Sequence, residues 1–339
     1  MIPYGYAPME ARAVAEIPSG PHWQYEPKWD GFRCLAYRDG GEVQLQSKAG
    51  QPLGRYFPEI VAALAALPER RFVLDGELVV PFAGALSFDA LQQRIHPAAS
   101  RVAMLAKKTP AWYLVFDLLS DAGTDLVELP LSARRAQLET FADAFDGETV
   151  RLSPATRERS VVDDWFARVG GALDGVIAKR ADAAYASGSR DAAVKVKQAR
   201  TADCVVAGFR YAKGSKTQVG SLLLGLYDDD GLLDYVGFCS AFGAEEKKAL
   251  LKRLEPYVGG TGFSGGAPDT GPSRWDRGDR DKSYVKLQPA LVLEVAFDQV
   301  TGGHIRHGTR PVRWRTDKAP QQCTVEQLET PGGALALLE

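Results

Sequence analysis

The sequence predicts an α+β chain of two domains, mixed and largely antiparallel sheets followed by a small β-barrel. Three observations predict it. The 339 residues exceed what one hydrophobic core usually organises. Up to about Gln198, short strand patterns alternate irregularly with amphipathic helices, and no GxGxxG follows a strand, which disfavours a doubly wound dinucleotide fold. Beyond Thr201 the pattern becomes a strand meander with one interposed helix. The expected domains are therefore 1–200 and 201–339.

In the first domain, Phe32–Tyr37 and Glu42–Gln46 flank Asp39-Gly40-Gly41 and read as a hairpin. Further strands are expected at Phe72–Val80, Trp112–Leu119, Gly175–Lys179 and Ala193–Lys197, with helices at Ile60–Leu67, Phe88–Ile95, Ala133–Phe145 and Val162–Val169. In the second, Cys204–Tyr211, Ser221–Tyr227 and Leu232–Phe238 form the meander, turning at Asp228-Asp229-Asp230-Gly231. A helix at Ala244–Leu254, a Gly/Pro/Ser-rich loop and a last strand pair at Tyr284–Leu287 and Leu291–Phe297 complete a pattern that suits an OB-type Greek-key barrel.

Composition bounds the function. With 41 Lys+Arg against 43 Asp+Glu the chain is near neutral, which argues against coating nucleic acid by bulk charge but leaves room for a local basic face. No apolar run is long enough to span a bilayer, so no membrane partner is expected. The start lacks the basic and apolar regions of a secretion signal. The four cysteines are scattered without a CxxC pair, so neither a zinc site nor a disulfide framework is expected and a reducing cytoplasm fits.

Four segments carry candidate chemistry. Glu26-Pro27-Lys28-Trp29-Asp30-Gly31-Phe32-Arg33 sets a lysine in a tight turn between carboxylates. A lysine attacks an electrophile only as the neutral amine, so it needs burial or neighbouring cations; taken alone, Lys28 reads first as a surface lysine paired with Glu26 or Asp30. In Leu74-Asp75-Gly76-Glu77 the two carboxylates share a strand face and invite a cation or ribose hydroxyls, or simply water. Tyr113–Leu119 is apolar enough for a buried strand, with Phe116 in its core. Ala193-Val194-Lys195-Val196-Lys197 alternates strictly, so Lys195 and Lys197 share a face where a phosphate would relieve their repulsion.

Singly these segments are weak, but their order resembles the motif series of the covalent nucleotidyltransferases: ATP-dependent DNA ligases, RNA ligases and mRNA capping enzymes. Lys28-Trp29-Asp30-Gly31 resembles the KxDG nucleophile motif and Ser47-Lys48-Ala49-Gly50 the SRxG element. Asp75-Gly76-Glu77 and Phe116-Asp117 are similar to the next two, Asp174–Lys179 and Lys195-Val196-Lys197 to the following pair, and Arg315-Thr316-Asp317-Lys318 to the closing RxDK. The likeness is greatest to compact bacterial ATP-dependent DNA ligases of the repair and end-joining type.

The resemblance implies a nucleotidyltransferase (adenylation) domain followed by an OB-fold domain. It implies three steps: Lys28 attacks the α-phosphorus of ATP, AMP passes to a 5′-phosphate, and a 3′-hydroxyl displaces it. By the same analogy Glu26 contacts the adenine amino group and Phe116 stacks on its ring. Arg33 and Glu77 hold the ribose or a phosphate. Lys48, Lys179, Lys195 and Lys197 bind phosphate, and Glu77 and Asp174 carry Mg²⁺ or Mn²⁺. Arg315 and Lys318, within a basic cluster that includes Arg306, Arg310 and Arg313, assist pyrophosphate release, with Gln198–Thr201 as the hinge. Lys213, Lys216, Lys247, Lys248, Lys252 and Arg253 are candidate DNA phosphate contacts. The implied partner is nicked or broken duplex DNA, with repair proteins for recruitment, and the chain is expected to be a monomer that joins the nucleoid when bound to DNA.

Departures are expected to matter. Lys48 replaces an arginine, turning a bidentate grip into a point charge. Asp174 replaces a glutamate, and the tryptophan usual before the paired lysines is absent. Lys179 follows Asp174 by five residues, so strand alternation puts the two on opposite faces unless a bulge intervenes. An RNA ligase or capping-type enzyme is the alternative, a non-catalytic nucleic-acid-binding protein is disfavoured by the intact motif set, and an NAD-dependent ligase by the absence of a cysteine-based zinc module.

Overall fold

The structure is a computed structural model that describes residues 2–169, 173–197, 200–268, 283–306, 308–329 and 333–338. The chain divides into one unit of Met1–Gln198 with Thr330–Glu339 and another of Ala199–Glu329. Residues 333–338 thus belong with the first unit, whereas the sequence predicts a second domain running on to residue 339. The cause is apolar: Ala334 is buried in a cluster with Trp29, Val79 and Leu114, and Leu337 and Leu338 pack against it.

The first unit is built on two sheets. One orders strands Arg12–Ala13, Ala193–Lys197, Gly175–Arg180 and Trp23–Pro27; the other orders Val150–Leu152, Trp112–Asp121, Arg71–Val79, Phe32–Asp39 and Glu42–Ser47. Pairing is antiparallel except at Arg12–Ala13 and Val150–Leu152, which pair in parallel with their neighbours. The hairpin, the four further strands and the four helices expected here all form, with ends shifted by a few residues. The helix Ala99–Lys108 was not anticipated from sequence, and its polar surface explains why: only Val102 and Leu105 are buried.

Helices Pro58–Ala66 and Leu131–Ala142 cover the second sheet, burying Ile60, Leu64 and Leu138 against Phe72, Leu74 and Leu118. This is the usual stabilisation of a half-apolar sheet, about 25 cal/mol for each Å² of apolar surface removed from water. The Lys28–Gly31 turn joins the edge strand of the first sheet to the second sheet. Its geometry demands Gly31, since a Cβ there would overlap the carbonyl oxygen of Leu78.

The second unit is an antiparallel sheet ordered Leu233–Cys239, Val219–Tyr227, Arg200–Tyr211, Val292–Phe297 and Arg310–Trp314. The ladder is open among the described residues; one isolated bridge, Cys239 with Thr309, touches both ends of this order. The three-strand meander and the Ala244–Leu254 helix match expectation. The last strand pair does not: Val285–Lys286 and Val292–Phe297 each pair with the long Arg200–Tyr211 strand rather than with each other. The edge strand Arg310–Trp314 lies within what the sequence presents only as a charge cluster. Its Pro311 and exposed arginines mask a strand pattern, as suits an edge that must not recruit further chains.

Candidate active site

A cleft in the first unit is lined from both sheets and from the N-terminal segment Pro8–Ala11. The first sheet contributes Glu26, Ile177, Lys179, Ala193 and Lys195; the second contributes Arg33, Glu77 and Phe116; Lys28 and Lys48 come from turns at strand ends. Sequence order alone scatters these residues over most of the unit, and the sheet pairings bring them together.

Lys28 continues the ladder past Pro27, its N–H donating to the Gly175 carbonyl at 3.0 Å. The next residue, Trp29, is buried and donates its indole N–H to Ser153 Oγ at 2.9 Å, so the turn is anchored directly beside the lysine. The Lys28 ammonium contacts the buried carboxylate of Asp174. Asp174 precedes the strand rather than belonging to it, and Gly175 takes a φ of +143°. That reversal cancels the expected alternation: Asp174 reaches Lys28 while Lys179, within the strand, also turns to the cleft. A backbone reversal does the work foreseen for a bulge.

A true bulge occurs opposite. Asp75 pairs with Asp117 and Gly76 with Val115, so Phe116 is the extra residue of the Trp112–Asp121 strand. Its ring consequently lines the cleft, where the Arg33 guanidinium and Lys179 ammonium stand 4.6 Å and 4.3 Å from the ring centroid. Phe116 is buried, as an apolar strand predicts, but in the wall of the cleft.

Charge pairing is dense. Arg33 binds Asp75 through two hydrogen bonds of 2.6 Å. Glu26 accepts from Gln24 Nε2 at 2.9 Å, and its other oxygen lies 2.7 Å from Lys179 Nζ. Burial pushes the Glu77 carboxyl up to about 7 against the pull of Arg33 and Lys28. Burial lowers the Lys195 pKa, helped by the nearby charges of Lys28 and Lys48. Five cations, Lys28, Arg33, Lys48, Lys179 and Lys195, converge on one cleft, four of them oriented by carboxylate partners.

Not every predicted residue joins them. Lys48 lines the cleft but is paired with Glu10 at 3.0 Å, which Arg190 also contacts. Lys197 is exposed at the strand end and is not among the lining residues. Arg315 and Lys318 belong to the other unit, where Asp203 holds both. Of the candidate DNA contacts, Lys248 pairs with Glu245 at 3.0 Å and Arg253 stacks over Trp314. Gln198 and Ala199 of the expected hinge lie outside the described residues.

Sequence reading missed Tyr185 and Glu10. The Tyr185 hydroxyl donates to Asp75 Oδ2 at 2.6 Å and accepts from the Met9 N–H at 2.9 Å, bracing the Asp75–Arg33 pair from behind. Neither residue lies in a motif or a regular element, so no periodicity pointed to them.

The donor set fits a hard divalent cation only in part. Asp174 Oδ1 is buried and accepts no hydrogen bond among the described residues, and Glu77 is a second carboxylate near Lys28. Among the described residues no group of three His, Cys, Asp or Glu forms a metal cage. Two carboxylates completed by substrate phosphates are the usual arrangement for Mg²⁺.

The family profile described as "ATP dependent DNA ligase domain" matches residues 8–197, and that described as "ATP dependent DNA ligase C terminal region" matches 215–318. The chain is 47% identical over 341 residues to DNA ligase C2 of Mycolicibacterium smegmatis, covering 96% of this chain and 94% of that protein. It is 44% identical over 345 residues to DNA ligase C of Mycobacterium tuberculosis, with the same coverage. Among solved structures, a Lig E DNA ligase described as binding DNA with a minimal scaffold superposes with a TM-score of 0.56 at 16% identity, covering 91% of this chain and 99% of that one, which supports the fold alone. Among the described residues no helix is long and apolar enough to cross a membrane. The chain belongs to the bacterial ATP-dependent DNA ligases.

Proposed function

We propose that Lys28 is the nucleophile of a three-step sealing reaction in DNA repair. Its amine attacks the α-phosphorus of ATP; a P–N bond forms, the P–O bond to pyrophosphate breaks, and the amine loses a proton. AMP then passes to the 5′-phosphate of a break, and the neighbouring 3′-hydroxyl displaces it to make the phosphodiester. The observation that carries the reading is the contact of Lys28 with Asp174 at a cleft where Lys48 and Lys195 also converge. Asp174 is the base placed to take the proton that the amine must lose.

In this reading Glu26, held by Gln24 and Lys179, presents an acceptor to the adenine amino group, and Phe116 provides the apolar wall on which the base stacks. Arg33, braced by Asp75, faces the ribose or a phosphate, and Lys195 the α-phosphate. Lys48 and Lys179 are secondary phosphate contacts, and Lys197 and the 306–318 cluster act on pyrophosphate or DNA. Glu77 and Asp174 would hold Mg²⁺ or Mn²⁺, which when bound neutralises triphosphate charge and polarises the α-phosphate.

The first domain is then the adenylation domain. The second is proposed to be an OB-type barrel, supported by the Cys239–Thr309 bridge between its terminal strands. The chain is proposed to act as a cytoplasmic monomer on nicked or broken duplex DNA, recruited by repair proteins. DNA ligase relatives of nearly equal length support the DNA substrate over RNA.

The test is incubation with α-labelled ATP or GTP, followed by nicked DNA or RNA. Labelled protein with ATP, chase of label onto a DNA 5′-phosphate, and no label in Lys28→Ala are expected. Labelling of Lys28→Ala sinks the assignment; preference for GTP or an RNA nick moves the chain to the capping or RNA ligase class.

A further inference from the structure

In the second unit one carboxylate holds both cations of the closing motif. Asp203 stands near the start of the Arg200–Tyr211 strand, with its side chain 12% exposed. Arg315 Nη1 donates to Asp203 Oδ1 at 3.0 Å and to Oδ2 at 2.8 Å, and Lys318 Nζ donates to the same Oδ2 at 2.8 Å. The sheet register sets this up: Asp203 pairs with Glu294 and Glu294 with Arg313, so Arg315 emerges just beyond the same cross-strand row.

Asp203 is itself held. Its N–H donates to Gln327 Oε1 at 2.9 Å, and its carbonyl accepts from Gln327 Nε2 at 3.2 Å, an amide that also donates to the Thr324 carbonyl. On the outer side, Arg315 Nε and Nη2 donate to Asp317, each at 2.8 Å. That hydrogen bonding holds the Asp317 carboxyl down at about 2, so it remains an anion at any working pH.

We infer that Asp203 is the positioning residue that holds Arg315 and Lys318 side by side for the lysine-adenylation step. Arginine and lysine carry the most rotamer freedom of any side chains, and two adjacent cations repel. A largely buried carboxylate bonded to both removes each obstacle before substrate arrives. It leaves donors to spare, because an ammonium has three N–H groups and Lys318 spends one on Asp203. A carboxylate further out on mobile chain would not do this; the Gln327 clamp fixes the one that does. The inference rests on the reading of Arg315 and Lys318 as groups that act on the leaving pyrophosphate.

The experiment compares two steps in the full chain. Formation of protein–AMP from ATP involves pyrophosphate; sealing of a nick already carrying 5′-AMP does not. Asp203→Asn is expected to slow protein–AMP formation at least tenfold while sealing of the pre-adenylated nick falls less than threefold. Asp203→Glu, which keeps the charge, is expected to regain part of the lost rate. A structural defect of this unit instead lowers both steps together, and that result overturns the inference. So does unchanged adenylation in Asp203→Asn when Arg315→Ala is impaired. If Arg315→Ala also adenylates normally, the reading of the closing motif itself falls. Gln327→Leu, which releases the Asp203 backbone without touching its carboxylate, is expected to show the same step-selective loss at smaller size, and serves should Asp203→Asn fail to fold.

Discussion

Glu26 and Lys179 form a buried ion pair at the cleft, Oε2 to Nζ 2.7 Å, with side chains only 3% and 5% exposed. They lie on adjacent antiparallel strands, Glu26 opposite Ile177 and Lys179 opposite Gln24, and meet diagonally. Lys179→Met is expected to cost about 3–5 kcal/mol in urea unfolding, because it strands a buried carboxylate. The double variant with Glu26→Gln is expected to recover much of that loss, since no uncompensated charge remains. Equal stability of Lys179→Met and the parent chain would contradict the pairing.

Gly175 permits Asp174 to reach Lys28. Its φ of +143° is unfavourable for any side chain, and a Cβ would overlap the Val196 carbonyl oxygen. Gly175→Ala is expected to destabilise by about 2–4 kcal/mol and to slow protein–AMP formation. Gly40→Ala is the control: φ is +60° with nothing near the added Cβ, so about 1 kcal/mol and normal adenylation are expected. Thermal melts alongside adenylation rates separate the two.

Tyr185→Phe removes one hydroxyl that serves both Asp75 and the Met9 amide. The expected cost is about 1–3 kcal/mol, the price of leaving buried groups partly unsatisfied. Arg33 then loses its fixed orientation, so the KM for ATP is expected to rise several-fold while kcat for adenylation changes little. A fall in kcat with unchanged KM would contradict a role through Arg33.

Glu77 links stability to pH. Its carboxyl titrates near 7 in the fold against 4.5 unfolded, because burial disfavours the anion. The folded chain therefore binds the proton more tightly between those values, and stability falls as pH rises from about 4.5 to about 7. Glu77→Gln removes this dependence, so its melting temperature is expected to exceed that of the parent at pH 8 and to match it near pH 5. A difference on the order of 3 kcal/mol at pH 8 is expected in the absence of nucleotide and metal. Parallel melting curves across this range would exclude a titrating Glu77.

Much of this site was legible beforehand where chemistry depends on residue type and order: Lys28 in its turn, the Asp75/Glu77 strand, the alternating Lys195 and Lys197. What alternation could not reveal were its breaks. The bulge at Phe116 and the reversed backbone at Gly175 re-aim single residues, and neither leaves a periodic trace. Lys197 keeps the alternation expected of its strand but is not among the residues that line the cleft.

From sequence alone came the two-part α+β architecture, the ordered motif series, and the lysine around which the chemistry is proposed, because these depend on local pattern and on which groups can react. Tertiary structure alone decided who partners whom: Asp174 with Lys28, Tyr185 with Asp75, Asp203 with Arg315 and Lys318, and the return of residues 333–338 onto Trp29. The physical reason is one of range. Periodicity reports which face of an element is buried, whereas an ion pair or hydrogen bond is chosen by whatever the folded chain brings within about 3 Å, often from more than a hundred residues away.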